Sequence, residues 1–313
     1  MATKISFINF KGGVAKTITS VNFAAVLAQR GYKTLLIDLD PQSNASLWLL
    51  GGEHEGTRFM ARLQEPHKTV YQLFLDRLDG THHFRFQDSV IKAVVKDTWG
   101  NVLTPHLDLL PNTYQSIALE RKLAGGGAFG ELSMNILKLQ LEDIQENYDF
   151  MIFDCAPNLY LTTINALLFS NYYIIPVNPD YFSRSGLTIL GREVKRIWDR
   201  CAMLSNDDLE LLGVLITRIK PNAILDVGRR VDLARGLRQL KQEGTVSPNA
   251  VVFKTYFNDT VEVPRSIEAG VPTIYHKTYY PPIATYIERL NAFTNRALRI
   301  IRNRFKNVPM KGT

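Results

Sequence analysis

Lys11-Gly12-Gly13-Val14-Ala15-Lys16-Thr17 is the stretch that decides the fold of this 313-residue chain. It follows a short β-branched and aromatic run at residues 5–9 and precedes an apolar pattern of helical period at residues 17–30. The order predicts a buried strand, a glycine-rich loop and a helix. The backbone N–H groups of such a loop form a cradle for anions, and a lysine followed by a hydroxyl handles phosphates and magnesium. The stretch therefore predicts a nucleotide site.

The rest of the chain repeats the alternation of short apolar strands with helical stretches. Gly31 ends the first helix, and residues 33–38 form a second buried strand, which completes a βαβ unit. We expect an α/β fold with a doubly wound, mostly parallel sheet flanked by helices. Residues 1–313 are expected to form a single domain with a variable region at about 51–105. Further predicted strands lie at residues 107–110, 150–153, 173–177 and 211–216.

Composition excludes several classes of protein. Hydrophobic residues make up 45% of the chain and charged residues 21%, which argues against a collagen-like or disordered chain. Cys155 and Cys201 lack the spacing of a disulfide framework or a zinc site. No apolar run reaches the roughly 18 to 20 residues of a membrane-spanning helix, and the N-terminus does not resemble a signal peptide. We therefore expect a cytoplasmic protein without a membrane span.

The net charge of +7 is concentrated in the last third of the chain. Residues 1–200 hold 20 basic and 20 acidic side chains, whereas residues 201–313 hold 17 basic and 10 acidic. Residues 218–241 carry seven basic side chains against two acidic, and residues 289–306 carry six against none. This asymmetry predicts a surface for a polyanion, either nucleic acid or acidic lipid.

A basic helix is expected at about residues 285–306. Its apolar residues, from Ile287 to Phe305, fall on one arc that would dock on the domain, and its basic flank would face outward along a phosphate backbone. There are two alternatives to DNA binding by this helix. Its basic face is only solvated, or the helix lies on a membrane surface. The residues predicted to bind DNA without sequence preference are Arg229, Arg230, Arg235, Arg238, Arg299, Arg302 and Lys306.

Three sequence boxes carry a resemblance to a known family. The first departs from the G-x-x-x-x-G-K-[ST] pattern, because Phe10 and Ala15 occupy the glycine positions, and matches [KR]-G-G-x-x-K-[ST] instead. The others are residues 36–44 and 148–157, each at the C-terminal end of a predicted strand. The chain resembles the ParA/MinD family of ATPases with a deviant Walker A box, and most closely its plasmid and chromosome partition branch. Further segments that resemble the family lie at residues 175–182 and 263–266.

The resemblance implies a P-loop NTPase architecture with ATP and Mg²⁺ as cofactors. Ile18 replaces a hydroxyl that the family places at the α-phosphate, and Ala15, which is not glycine, is expected to have a negative φ. No guanine-reading N-K-x-D segment follows the late strands, which favours ATP. The implied nucleotide-binding residues are Lys11, Gly12, Gly13, Val14, Ala15, Lys16, Thr17 and Ile18 around the phosphates, and Thr217, Arg218 and Pro264 near the base, within a region that includes residues 257–264.

The resemblance also implies how the phosphates and the metal are held. Lys16 would bridge the β- and γ-phosphates of the nucleotide bound to the same chain. Magnesium keeps several waters and takes few carboxylates. The residues implied to ligate Mg²⁺ or to orient its waters are Thr17, Asp38 and Asp154.

Two further side chains are implied to act in hydrolysis. Asp40 would position or deprotonate the attacking water, although it could instead cap a helix that starts at Pro41. Lys11 would reach across a twofold dimer to the partner's phosphates, as an arginine finger does in trans. Hydrolysis and dimerisation would then be coupled.

By resemblance, the expected function is an ATP-driven homodimer that binds nonspecific DNA and positions a plasmid, a chromosome or a protein cargo. Slow hydrolysis, stimulated by a ParB-like or cargo-adaptor partner, would release it, and the protein would associate with the nucleoid in the cytoplasm. One alternative is a MinD-like ATPase on a membrane surface. Another is a metabolic ligase on the same fold, which would have no use for Lys11.

Overall fold

Seven strands form one sheet through the described part of the chain. The computed structural model describes residues 1–51, 65–97, 99–119, 133–180, 183–204, 208–220, 227–276 and 281–304. The order across the sheet is β3-β2-β4-β1-β5-β6-β7, and every pairing between these strands is parallel. The strands are β1 (Thr3–Phe7), β2 (Thr34–Asp38), β3 (Leu107–Leu110), β4 (Phe150–Asp154), β5 (Tyr172–Val177), β6 (Glu210–Ile219) and β7 (Val251–Asn258).

Helices cover both faces of the sheet. Helices α1, α2, α10 and α11 pack on one face, and α3 and α6 to α9 pack on the other. They are α1 (Lys16–Gln29), α2 (residues 44–51), α3 (Val70–Asp79), α4 (Phe86–Ser89), α5 (residues 116–119), α6 (Ile136–Leu141), α7 (Leu161–Phe169), α8 (Ser183–Cys201), α9 (Val227–Gln242), α10 (Glu262–Glu268) and α11 (Pro281–Arg304).

The strands in the middle of the sheet are buried along their whole length. Strands β2, β4 and β5 read as largely apolar runs, as expected of parallel strands covered on both faces. Strand β1 is buried as well, although Thr3, Lys4 and Ser6 are polar. Strand β7 lies at the edge and was not among the predicted strands. Only Phe253 and Phe257 of β7 are buried and Lys254 is exposed, so the continuous buried run that marks the central strands is missing.

The predicted α/β class is confirmed, and the described sheet is wholly parallel. The first helix begins at Lys16, one residue before the predicted start. Within the predicted variable region, Leu73 and Phe74 of α3 are fully buried in the core, so this part of the region is built into the fold. The basic helix starts at Pro281, about four residues earlier than predicted, and its predicted last residues lie outside the described chain.

Strand β1 occupies the point where the chain changes direction across the sheet. It pairs with β4 on one side and with β5 on the other. Ligands of open parallel sheets bind in the crevice that such a reversal creates, beyond the carboxyl ends of the strands. The loop after β1 lies at that crevice. Among the helices that the structure describes, none is both long and apolar enough to cross a membrane.

Candidate functional site

The glycine-rich loop is held from behind by three polar side chains. Asn9 accepts a hydrogen bond from the backbone N–H of Lys11 at 3.0 Å. Thr217 Oγ1 donates to the carbonyl of Val14 at 2.9 Å, and Arg218 Nη1 donates to that of Gly13 at 2.9 Å. Within the described residues, no carbonyl of the main chain accepts from the N–H groups of residues 12–18. Seven consecutive donors are therefore available to an anion.

The prediction of a negative φ at Ala15 is wrong. Ala15 has φ 59° and ψ 36°, in the left-handed region, and precedes the first residue of α1. A residue with a Cβ usually avoids this region, which costs about 1–2 kcal/mol. The packed loop imposes the conformation all the same. Arg218 also has a positive φ, so two strained residues line one crevice, which is typical of functional sites.

Lys16 lies inside the crevice. Its side chain is 7% exposed, and Nζ donates to the carbonyl oxygen of Lys11 at 3.3 Å. Burial lowers the pKa of Lys16, while the carboxylates of Asp154 and Asp40 act in the opposite direction. The Lys16 amine is thus placed near two carboxyl groups, where it can meet a phosphate that enters the cradle.

Asp38 and Asp154 end adjacent strands and are Cα partners in the β2–β4 register. Both are fully buried. Asp38 accepts hydrogen bonds from the backbone N–H and the hydroxyl of Ser46, at 2.9 and 2.7 Å, and from the N–H of Asp40 at 3.1 Å. Burial and the neighbouring Asp154 raise the pKa of Asp38 well above its usual range. Asp38 thus ties α2 to the end of β2.

Asp154 differs from Asp38 because its charge has no direct partner. Neither carboxylate oxygen accepts a hydrogen bond of ordinary geometry from the described residues. Burial raises its pKa to about 7, and the hydroxyls of Thr17 and Ser20 act in the opposite direction. Buried polar atoms nearly always have a hydrogen-bond partner. A buried carboxylate that has none within the protein therefore indicates a partner from outside the chain. Thr17 lines the same crevice. The Thr17 hydroxyl and the Asp154 carboxylate together fit Mg²⁺, which takes few protein ligands.

Asp40 lines the same crevice as Lys16. It is 7% exposed, and Oδ1 accepts the backbone N–H of Gln42 at 2.9 Å. Burial raises the pKa of Asp40, whereas the Gln42 N–H and Lys16 lower it. Helix α2 begins only at residue 44, so Asp40 closes a turn ahead of the helix and does not cap it.

Lys11 lies on the other side of the loop from Lys16. Its side chain is 56% exposed, and Nζ forms an ion pair with Asp180. Lys11 and Asp180 line a small cavity of about 130 Å³ against Val177, separate from the nucleotide crevice. The two lysines of one loop therefore occupy opposite environments.

The crevice continues into an apolar cleft suited to a base. Its volume is about 1030 Å³, with Lys16, Thr17 and Asp40 at one end. Arg218 and Pro264 line it as predicted, together with Phe257 and Tyr286. The other apolar lining residues are Ile18, Leu47, Trp48, Val261, Val263 and Ile267.

Two residues at this end depart from the sequence analysis. Thr217, predicted near the base, is fully buried near the end of β6, and its hydroxyl braces the loop by donating to the carbonyl of Val14. Trp48 was missed, since no motif includes it. Its indole N–H donates to the carbonyls of Ser266 and Val271, at 3.1 and 2.9 Å, and so joins α2 to the α10 region.

The basic residues of α9 are not equivalent. Arg229, Arg235 and Arg238 are exposed. Arg229 donates to the carbonyl of Pro179, and Arg235 pairs with Asp232 at 3.2 Å. Arg230 is half-buried and donates to the carbonyl of Phe253 on β7, so it is part of the packing.

Helix α11 corrects the prediction for its basic flank. Arg299 is exposed, as predicted, but Arg302 is half-buried and donates to the Tyr32 hydroxyl at 2.7 Å. Arg302 follows fully buried Ile301, so it lies at the margin of the docked face, where Tyr32 reaches it. Its predicted outward orientation is wrong. Lys306 lies outside the described residues.

Comparisons with known proteins show the family of this chain. Residues 2–211 match the family described as AAA domain. The sporulation initiation inhibitor protein Soj of Bacillus subtilis is 34% identical over 72% of this chain and 77% of its own length. The chromosome-partitioning ATPase Soj of Treponema pallidum is 34% identical over 63% of this chain and 65% of its own.

A solved structure shows the same fold. The ATP complex of a McdA variant from Cyanothece covers 95% of this chain and 96% of its own, with a TM-score of 0.65 and 17% identity. This likeness is one of fold alone. Together with the family match and the identity to Soj, it leads to one conclusion: the chain belongs to the AAA-domain family and is a member of the ParA/MinD ATPases.

Proposed function

We propose that this protein is an ATP-dependent switch that dimerises on binding Mg·ATP, holds nonspecific DNA as a dimer and releases it on hydrolysis. The contrast between the two lysines of the loop carries the proposal. Lys16 is buried beside Asp40 and Asp154, whereas Lys11 is exposed and lies outside its own crevice. In a dimer, the exposed amine of Lys11 would contact the triphosphate bound to the second copy of the chain.

The chemistry divides among residues of the same crevice. The N–H groups of the loop and Lys16 would hold the phosphates, and Thr17 and Asp154 would hold Mg²⁺, with Asp38 behind them. When bound, the ion neutralises charge on the phosphate oxygens. Asp40 has one oxygen engaged by Gln42, and the other would accept the proton of the attacking water.

The positive charge of the last third supports the DNA part of the proposal. The name of the Treponema relative, a chromosome-partitioning ATPase, supports a role in partition or positioning. A switch of this kind needs slow hydrolysis that an adaptor protein accelerates, so we extend the proposal to a ParB-like or cargo-adaptor partner. The cargo would be a plasmid, a chromosome or a protein assembly, and the site of action the nucleoid.

The test compares the two lysines by size-exclusion chromatography and nucleotide binding in Mg·ATP. Lys16→Ala should abolish ATP binding and therefore dimerisation. Lys11→Ala should retain ATP binding but lose both dimerisation and hydrolysis, which would also separate this switch from a metabolic ligase. An active, monomeric Lys11→Ala variant would contradict the proposal.

A second experiment separates DNA from a membrane as the surface that the dimer holds. The ATP-loaded protein is pelleted with DNA beads or with anionic vesicles. Retention on DNA supports the proposal, and retention on vesicles alone favours the MinD-like alternative.

A further inference from the structure

Helices α8 and α9 pack side by side with very close backbones. A Cβ on Gly191 of α8 would lie 2.7 Å from Leu240 Cδ1 of α9. A Cβ on Gly236 of α9 would lie 3.2 Å from Cγ of Arg184 and 3.7 Å from its carbonyl oxygen. The aliphatic stem of Arg184 therefore crosses α9 at Gly236. Because Arg184 is exposed, its charge reaches the surface beside the arginines of α9.

Three of the four cations farther along α8 pair with acidic neighbours, whereas exposed Arg200, at the far end of the helix, has no ion pair within the described residues. Arg192 pairs with Glu243 at 2.7 Å, and Arg196 pairs with Glu193 at 3.1 Å. Lys195 pairs with Asp199. These three side chains add little net charge to the surface of α8.

The beginning of α8 lacks such compensation. Arg184 and Arg238 have neither an ion pair nor a side-chain hydrogen bond within the part of the chain that the structure describes. Arg235, which is exposed between them in sequence and next to Gly236, has one partner, Asp232. Net positive charge is thus concentrated where α8 begins and crosses α9.

We infer that Arg184 belongs to the surface that holds the phosphate backbone of duplex DNA. We call it the α8–α9 basic surface, and the inference rests on the proposed function. Guanidinium groups match phosphate oxygens in geometry, and contacts to phosphates carry no base preference. Arg184 could not be predicted from the sequence, since α8 is mixed in charge and only the packing brings this residue to α9. The members of the surface are Arg184, Arg229, Arg235 and Arg238.

The test measures binding of the ATP-loaded, full-length protein to a labelled duplex of mixed sequence across a salt series. Arg184→Gln removes the charge but keeps a stem over Gly236, and Arg184→Lys keeps the charge. Arg196→Gln is the matched control, because it removes an exposed arginine from the same helix. Thermal unfolding and ATP binding are measured for each variant to establish that the fold is intact.

One phosphate contact contributes about 0.9 to the slope of log affinity against log salt. Arg184→Gln should therefore lower that slope by about one and weaken binding about eightfold at roughly 0.1 M salt. Arg184→Lys should restore most of the affinity, and Arg196→Gln should match the wild type.

The outcomes separate this inference from the function on which it rests. If the wild type binds DNA and Arg184→Gln has the same slope and affinity, the inference is overturned and the proposed function stands. If the ATP-loaded wild type binds no DNA, both fall. Binding to anionic phosphatidylglycerol vesicles in place of DNA would assign the surface to lipid and would also overturn the inference.

Discussion

Lys11 forms an ion pair with Asp180 of its own chain, a residue 169 positions later in the sequence. The pair spans the carboxyl ends of β1 and β5, which are neighbours in the sheet. It holds the exposed amine on the side of the loop away from the crevice. For Lys11 to reach the triphosphate of a second copy, this pair has to break.

We expect Asp180→Asn to favour ATP-dependent dimerisation. The paired side chains are 56% and 34% exposed, and an exposed pair contributes about 0.2–1 kcal/mol, so the ATP concentration for half-maximal dimerisation should fall by at most about fivefold. Analytical ultracentrifugation across an ATP titration measures the shift. Asp199→Asn, which removes an exposed pair with Lys195 at the other end of α8, is the control. A higher ATP requirement for Asp180→Asn would show that the pair is no restraint.

Asp40→Asn should separate ATP binding from ATP hydrolysis. The asparagine keeps an oxygen for the Gln42 N–H, which preserves the turn, but it cannot take a proton. We expect hydrolysis to fall by about 10² or more and the ATP-bound dimer to accumulate. Phosphate release and size-exclusion chromatography in Mg·ATP are the measurements. A variant that elutes only as a monomer in ATP would count against this role for Asp40.

The ligand-free protein should lose stability as pH rises toward 7, because the pKa of Asp154 is raised to about 7 by burial. Between about pH 4 and 7 the folded protein holds a proton that the unfolded chain releases. The free energy of unfolding should therefore fall as pH rises through this window.

Urea unfolding across this pH range, without nucleotide or metal, measures the dependence on Asp154. Asp154→Asn should flatten it, and the buried Asp38 leaves a residual change of the same sign. An unchanged pH dependence in Asp154→Asn would mean that this carboxyl is already ionised in the ligand-free protein.

Trp48→Phe should weaken ATP binding and leave the hydrolysis rate of bound ATP unchanged. The phenylalanine fills much of the cleft wall but leaves the buried carbonyls of Ser266 and Val271 without their donor. This costs about 1–3 kcal/mol of stability, and each 1.4 kcal/mol lost in ordering the α10 region weakens binding about tenfold. Calorimetric titration measures the affinity. Trp99→Phe, at a residue 84% exposed, should behave as wild type.

The strands and the phosphate loop could be predicted because their signals are local. A strand buried on both faces often reads as a near-continuous apolar run, as Phe150 to Phe153 does. Strand β7 escaped prediction because only Phe253 and Phe257 of its residues are buried, and polar residues interrupt its apolar run. The order of the boxes also located Asp38, Asp40 and Asp154 at strand ends, which in a parallel sheet meet at one edge.

Contacts between distant segments could not be predicted in this way. The backbone conformation of Ala15 follows from the packed loop, against the preference of the residue itself. The inward turn of Arg302 depends on Tyr32, about 270 residues away. The pattern of apolar residues on α11 predicted which face of the helix docks on the domain. It could not predict that the Tyr32 hydroxyl would accept a hydrogen bond from Arg302 beside that face.

The sequence by itself determined a parallel α/β sheet and a phosphate loop with two lysines, since period, turn chemistry and box order are properties of neighbouring residues. Only the tertiary structure decided what each charge does. In the fold, Lys16 is buried near carboxyl groups, whereas Lys11 is exposed and pairs with Asp180. Asp154 is buried without a hydrogen-bond partner among the described residues, and Arg184 packs against α9. The physical reason is that burial and electrostatic environment depend on what the fold brings together from distant parts of the chain.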